Sequence, residues 1–256
     1  MTRTGIIVRL AVLALLLAFL AWPDAFSPIF EPLTQRGAPP IYTQANLLQL
    51  TLNHLLLVGA AVLAAAIVSI GLAIFVTRPA GAEFLPLSRA LANVGQTFPP
   101  VAVLALAVPA LGFGAAPTFV ALFIYGLLPI FENTLTGLST LPRSVLEAAR
   151  GMGMTDRQMF LRVELPLALP VILAGMRLST VIAVGTATIG STVAASTLGE
   201  VIIAGLLSNN LAFILQGGLA VAALAVLLYD TMRWVENAAL RRGGGTPRRA
   251  SPRRPD

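Results

Sequence analysis

Residues 137–165 read GLSTLPRSVLEAARGMGMTDRQMFLRVEL, a charged stretch set between two long apolar runs. It is built to fold. Pro142 suits the first turn of a helix, and Arg143 to Met152 holds good helix formers, with Val145, Ala149 and Met152 falling on one small apolar face. Arg143 and Glu147 stand four apart, a spacing that lets them pair across the exposed side. Gly151 and Gly153 should break this helix, and Thr155 followed three residues later by Gln158 has the spacing of a capping box that starts a second one. The second helix carries Met159, Phe160 and Val163 toward Leu165-Pro166 and into the next apolar run. Two short helices at an angle are expected, the later one continuous with a long apolar helix.

Outward from this loop the chain is mostly apolar. Of its 256 residues 57% are hydrophobic and 11% charged, and the mean hydropathy is +0.85, values that place it in a bilayer rather than in water. Crossing about 30 Å of hydrocarbon as a helix takes roughly 20 apolar residues. Six stretches meet that need: 6–22, 50–76, 89–111, 115–136, 167–192 and 210–232. The expected fold class is all-α, a polytopic membrane protein with about six transmembrane helices.

All 17 basic residues are Arg, and their placement sets an orientation, because short cytoplasmic loops collect positive charge. With the N-terminus inside, Arg3, Arg9, Arg78, Arg89, Arg143, Arg150, Arg157, Arg162, Arg233 and the Arg residues of the tail lie on the cytoplasmic side. Only Arg36 falls clearly outside, and Arg177 lies within the fifth span. Both termini are therefore expected in the cytoplasm, and the loop 137–165 becomes a lever for a cytoplasmic partner. Three regions follow: 1–45, a transmembrane helix and its Pro-rich external connector; 46–240, the membrane core; and 241–256, a basic Gly/Pro-rich tail expected to be disordered. The tail's charge suits positive-inside topology or anionic lipid headgroups, and the pI of 11.2 that it helps to set does not point to nucleic acid. A rival reading makes the first span a cleavable signal peptide, with a basic start, an apolar core and Phe19-Leu20-Ala21; the other five spans keep their orientation either way.

Absent residues narrow the chemistry. Without Lys there is no phosphate-cradling loop of the G-x-x-x-x-G-K-[ST] kind and no Schiff base. Without Cys there is no thiolate metal site, disulfide or thiol nucleophile, and His54, the single His, cannot form a multi-His site. No cofactor is expected, and any ATP must be bound by another polypeptide.

Within the loop, Glu147-Ala148-Ala149, Gly153 after three residues, Val163 after nine more, then Leu165-Pro166 after one, resembles the EAA signature of the inner-membrane permeases of ABC importers, with Val where Ile is usual. The wider chain, from about His54 to Leu228, is similar to the osmoprotectant permeases for glycine betaine, carnitine and choline. The stretches that carry this are LANVGQTFPPVAVLAL from Leu91, YGLLPIFENTLTGL from Tyr125, EAARGMGMTDRQMFLRVELPLALPVILAGMR from Glu147, and IAVGTATIGSTVAASTLGE from Ile182. The resemblance implies the ABC-importer permease fold in a bacterial inner membrane, and an ATPase-coupling role for Glu147, Ala148, Ala149, Gly153, Leu165 and Pro166. It implies as partners two ATPase subunits, an external solute-binding protein, a second permease, identical or related, and membrane lipid. One departure stands out: Ala194-Ala195-Ser196-Thr197-Leu198-Gly199 occupies the place of a GAGGLG-like turn.

Polar groups in hydrocarbon are costly unless they face protein or water. On that ground Gln96, Thr97, Thr186, Thr188, Ser191 and Thr192 are the candidate translocation-pathway residues, although Ser and Thr also bond back to their own helices. Glu132 and Asn133 fit the inner membrane boundary or a contact to the coupling loop, and His54 fits an interfacial hydrogen bond near the outer end of its span. Other readings are an ABC permease for a different small solute, such as an amino acid or an oxyanion, and a secondary carrier. The second needs intramembrane Asp, Lys or His, in which the spans are poor. For a membrane enzyme the sequence offers no nucleophile with its base and no metal cluster.

Overall fold

The computed structural model of the chain describes residues 3–35 and 37–242; the tail from 243 onward and Arg36 lie outside the described residues. Among the described residues no strand occurs. The helices are α1 (Arg3–Ala21), α2 (Ser27–Phe30), α3 (Leu47–Val76), α4 (Leu85–Thr97), α5 (Pro100–Leu111), α6 (Ala115–Ser139), α7 (Arg143–Gly151), α8 (Asp156–Met159), α9 (Leu165–Ala187), α10 (Gly199–Leu207) and α11 (Leu211–Arg242). Among the described residues four helices are long and apolar enough to cross a membrane, or up to six if each of two bent pairs counts as one span.

At the centre stands α6, with Leu122, Ile130 and Phe131 fully buried, packed between α3 and α9; α11 closes the bundle against α9. Small residues let these helices approach closely, and hydroxyls cross between them: Ser69 of α3 donates to the Leu127 carbonyl at 2.9 Å and Ser179 of α9 to the Gly126 carbonyl at 3.3 Å. On the outside, Leu56, Leu63 and Ile67 of α3 are exposed, as suits a helix whose solvent is hydrocarbon.

Two expectations are refined by the structure. The stretch 89–111 is not one straight helix: α4 and α5 meet at a 98° bend. Pro99 and Pro100 supply no backbone N–H and push the residues before them out of the helical region, so Phe98 and Pro99 are extended. Tyr125 of α6 holds the break, donating its hydroxyl to the Phe98 carbonyl and accepting at its own carbonyl from Gln96 Nε2 at 3.3 Å. His54 makes its hydrogen bond inside the bundle. It is fully buried in α3 and donates from Nε2 to the Val184 carbonyl of α9 at 3.1 Å.

The connector after α1 is also more ordered than its Pro content suggests. Short turns over 23–33, including α2, leave α1 at 112°, and Phe19 packs against Phe26 and Phe30. The last helix, α11, runs on through Arg241 and Arg242, so the first two residues of the basic tail are helical.

Candidate functional site

Loop 137–165 folds as its sequence spacing requires. Pro142 stands as N-cap of α7, and the helix ends in paired closing bonds: Gly153 N–H donates to the Arg150 carbonyl at 2.9 Å and Met154 N–H to the Ala149 carbonyl at 3.2 Å. This is the Schellman arrangement, whose last residue must take a left-handed conformation; Gly153 does so at φ +76°. The four-residue step from Ala149 to Gly153 is thus the geometry of a helix stop. Thr155 then caps α8, accepting from Gln158 N–H at 3.3 Å while Gln158 Oε1 accepts from Thr155 N–H at 3.0 Å.

Of the apolar face read from the sequence, only Ala149 turns inward; Val145 is partly exposed and Met152 is 70% exposed. Glu147 and Ala148 are exposed too, and Arg143 and Glu147 form no ion pair among the described residues. What α7 offers outward is therefore a carboxylate, a small methyl surface and guanidinium groups that form no ion pair among the described residues.

From α8 the chain continues without interruption into α9. Between them Phe160–Glu164 forms a wide π turn, closed by Leu165 N–H to the Phe160 carbonyl. Pro166 has no N–H to give to the Arg162 carbonyl, and the wide turn ahead of it relieves that clash. Glu164 is 7% exposed in this turn and accepts from Arg78 at 2.6 Å, while the Arg78 guanidinium lies over the Phe160 ring at 4.8 Å. So the end of α3 is bolted to the junction of α8 and α9. Neither partner of this bolt stands out in the sequence, because it joins residues 86 positions apart.

Removing Arg78 leaves a buried carboxylate unpaired. Arg78→Ala is expected to destabilise the protein by about 2–3 kcal/mol, below the full cost of a buried pair because Arg78 is a third exposed. A thermal-shift measurement in detergent checks this; Glu164→Gln should cost less, since it leaves a neutral group in the same place.

Three further ion pairs lie toward this end of the bundle: Arg89–Glu132 between α4 and α6, Arg9–Asp230 between α1 and α11, and Arg177–Glu236 between α9 and α11. Glu132 thus joins α6 to α4 through Arg89, and Asn133 bonds within α6 to the Pro129 carbonyl at 2.8 Å. The opposite end carries the acids Asp24, Glu31 and Glu200.

The candidate pathway residues separate into two places. Gln96 and Thr97 are exposed beside the α4–α5 break. Thr186 and Thr188 end α9, and Ser191 and Thr192 lie in the 3-10 turn Ile189–Val193 that follows. Thr188 and Thr192 bond back to the Gly185 and Ile189 carbonyls. Ser191 is drawn into the turn itself, 2.9 Å from both the Ala195 carbonyl and Thr197 Oγ1. Thr197, which polarity alone did not single out, is the hub: buried, it also donates to the Ala187 carbonyl at 3.1 Å and accepts from Gly199 N–H at 3.2 Å.

Within the same turn Ala194 adopts φ +63°, a left-handed conformation that costs a side chain about 1–2 kcal/mol and Gly nothing. Ala194→Gly is accordingly expected to stabilise the protein by about 0.5–1 kcal/mol after the entropy that Gly loses; a rise in the thermal midpoint checks it, and a fall would contradict it.

Residues 86–239 match the family of binding-protein-dependent transport system inner membrane components. The chain belongs to this family. It is thus a multi-pass inner-membrane transport component, and the ATPase and the solute-binding protein of such a system are separate polypeptides. It is 43% identical over 191 residues to the osmoprotectant import permease protein OsmY of Salmonella typhimurium, covering 75% of this chain and 81% of that one. It is 41% identical over 212 residues to the glycine betaine/carnitine/choline transport system permease protein OpuCD of Bacillus subtilis, covering 81% and 90%. In fold, it superposes on the inward-facing MetNI methionine ABC transporter with a TM-score of 0.63 at 22% identity, covering 77% of this chain and 95% of that one. The all-α fold with four to six candidate spans agrees with that likeness.

Proposed function

We propose that this permease imports small quaternary-ammonium osmoprotectants of the glycine betaine, carnitine and choline class, driven by a separate ATPase. The observation that supports this most is its 41% identity to a glycine betaine/carnitine/choline permease across 90% of that protein's length. Both termini lie in the cytoplasm in this reading, since the described Arg residues gather at the α7 end of the bundle and the acids Asp24, Glu31 and Glu200 at the other.

Exposed Glu147 and Ala148 then seat α7 in a cleft of the ATPase: the small side chain permits close approach, the carboxylate meets cationic partner groups, and Ala149 and Gly153 fix the helix and its stop. Through Leu165-Pro166 and the Arg78–Glu164 bolt, a displacement of α7 is carried to α9 and α3 together.

A second permease completes the pathway, and two ATPase subunits serve the pair. The α4–α5 break favours this arrangement, because backbone bent at membrane depth is stable only against protein or a water-filled cavity. Gln96 and Thr97 beside it, and Thr186, Thr188 and Thr192 near the α9–α10 turn, line that pathway; Ser191 shapes the turn rather than meeting solute.

Uptake of labelled glycine betaine and choline into proteoliposomes holding the permease, its ATPase and its binding protein tests the cargo. ATP-dependent accumulation of either supports the proposal. ATP-dependent accumulation of an amino acid or oxyanion alone would replace the cargo and keep the permease.

A further inference from the structure

Near the α7 end of the bundle α9 and α11 do not close on each other. Between them lies an apolar groove of about 440 Å³, with Pro166, Leu169 and Leu173 of α9 and Trp234, Ala238 and Ala239 of α11 in its walls. The small side chains of Ala238 and Ala239 leave open the space that a larger residue would fill. Trp234 is 61% exposed in its wall, an amphipathic ring of the kind that settles where hydrocarbon meets headgroups.

Both walls run on toward a guanidinium. Arg162, Pro166, Leu169 and Leu173 follow the i, i+4, i+7, i+11 spacing of one helix face across the π turn, and Trp234, Ala238 and Arg241 follow i, i+4, i+7 on α11. Arg162 and Arg241 are exposed and form no ion pair among the described residues. The acids of these segments are already held: Glu164 by Arg78, Asp230 by Arg9 and Glu236 by Arg177. One end of the groove therefore carries uncompensated positive charge, while its walls are apolar. An apolar slot with two cationic groups at one end, beside an interfacial Trp, complements the two parts of a phospholipid, its acyl chain and its phosphate.

We propose that the α9–α11 groove binds one anionic phospholipid, with the start of an acyl chain between the Leu169 and Ala238 walls and the phosphate held by Arg162 and Arg241. This rests on the reading that the α7 end of the bundle lies at a bilayer surface, and not on the cargo. A groove open to lipid tails gains little by taking one more, because the tails are as apolar as its walls. Selectivity therefore comes from the headgroup. Guanidinium forks match phosphate oxygens bidentately, and a zwitterionic headgroup brings its own cation to compete for that phosphate. Each Arg near an anionic lipid surface contributes about fivefold to binding. The bound lipid would bridge α11 to α9, the helix that continues from α8.

The test places the assembled transporter in nanodiscs of phosphatidylglycerol or of phosphatidylcholine, each doped with a lipid of the same headgroup that carries a diazirine on its acyl chain. After irradiation, labelled peptides are mapped by mass spectrometry. In phosphatidylglycerol, residues 166–173 and 234–239 should be labelled well above the outer face of α3 at Leu56, Leu63 and Ile67, which meets bulk lipid in either disc. Arg162→Gln and Arg241→Gln should each lower groove labelling about fivefold, and the double variant about 25-fold, with α3 labelling and the thermal midpoint unchanged. Ala238→Phe should remove groove labelling with both guanidiniums in place. Equal groove labelling in the two lipids, or labelling indifferent to the Arg variants, would reduce the groove to bulk lipid contact and overturn the site. Labelling of α3 without the groove would mean that protein covers it, and would overturn the site as well. No arm uses ATP or solute, so failure of the proposed cargo leaves each outcome readable; absence of labelling on α3 too would overturn the membrane placement of the bundle, and the site with it.

Discussion

Glu147→Arg should abolish ATP-driven uptake while leaving the permease folded. Glu147 is exposed on α7 and makes no ion pair among the described residues, so its replacement should change stability by no more than about 0.5 kcal/mol. At an interface, however, reversing a carboxylate that faces cationic groups costs about 3 kcal/mol, roughly 100-fold in the binding constant. The two effects separate cleanly: thermal midpoint unchanged, uptake and co-purification of the ATPase lost. Gly153→Pro should also lose uptake by another route, since φ +76° is closed to Pro and the helix stop cannot form. Normal uptake by Glu147→Arg would remove α7 from the coupling path.

The largest effect on stability should come from Gly199→Ala. Its Cβ would meet the carbonyl oxygen, carbonyl carbon and Cα of Thr188 at 1.9, 2.6 and 2.7 Å, all backbone atoms that no rotamer change can clear. Forcing α10 away from α9 also breaks the Gly199–Thr197 bond, and overpacking of this kind costs about 3 kcal/mol. At 2–4 °C per kcal/mol for a chain of this size, the thermal midpoint should fall by about 6–12 °C. An unchanged midpoint would mean that the α9–α10 turn is looser than its contacts indicate.

These two positions also show how far the sequence could be read. Much that depends on local spacing was legible: the stop at Gly153, the capping box at Thr155 and the family signature. The Arg placement gave an expected orientation, and in the fold the described Arg residues gather mainly toward the α7 end of the bundle. What escaped depends on partners distant in the chain. Arg78 and Glu164 read as ordinary loop charges until the fold puts them 2.6 Å apart. His54 read as a hydrogen-bonder, but its partner, the Val184 carbonyl of α9, lies 130 positions away and could not be named from the sequence. The run 89–111 is apolar enough for one span, and only the two adjacent prolines hinted at the bend. Ser191 and Thr197 differ in role although both are small hydroxyl residues, because the turn encloses Thr197 at its hub.

Ala194 is a case where the resemblance was informative in its failure. The chain departs from the Gly-rich turn at Ala194, which adopts the left-handed backbone and bears its strain.

That α7 is the seat of the ATPase is the claim on which the account turns, and the chain's lack of Cys makes it directly measurable. A photoactivatable cross-linker on a single introduced thiol, at Ala148→Cys on α7 or at Leu207→Cys, 85% exposed at the end of α10, would be irradiated in the assembled complex. The account predicts cross-linking to the ATPase from position 148 and not from position 207; cross-linking from 207, or none from 148 in a complex that transports, would contradict it.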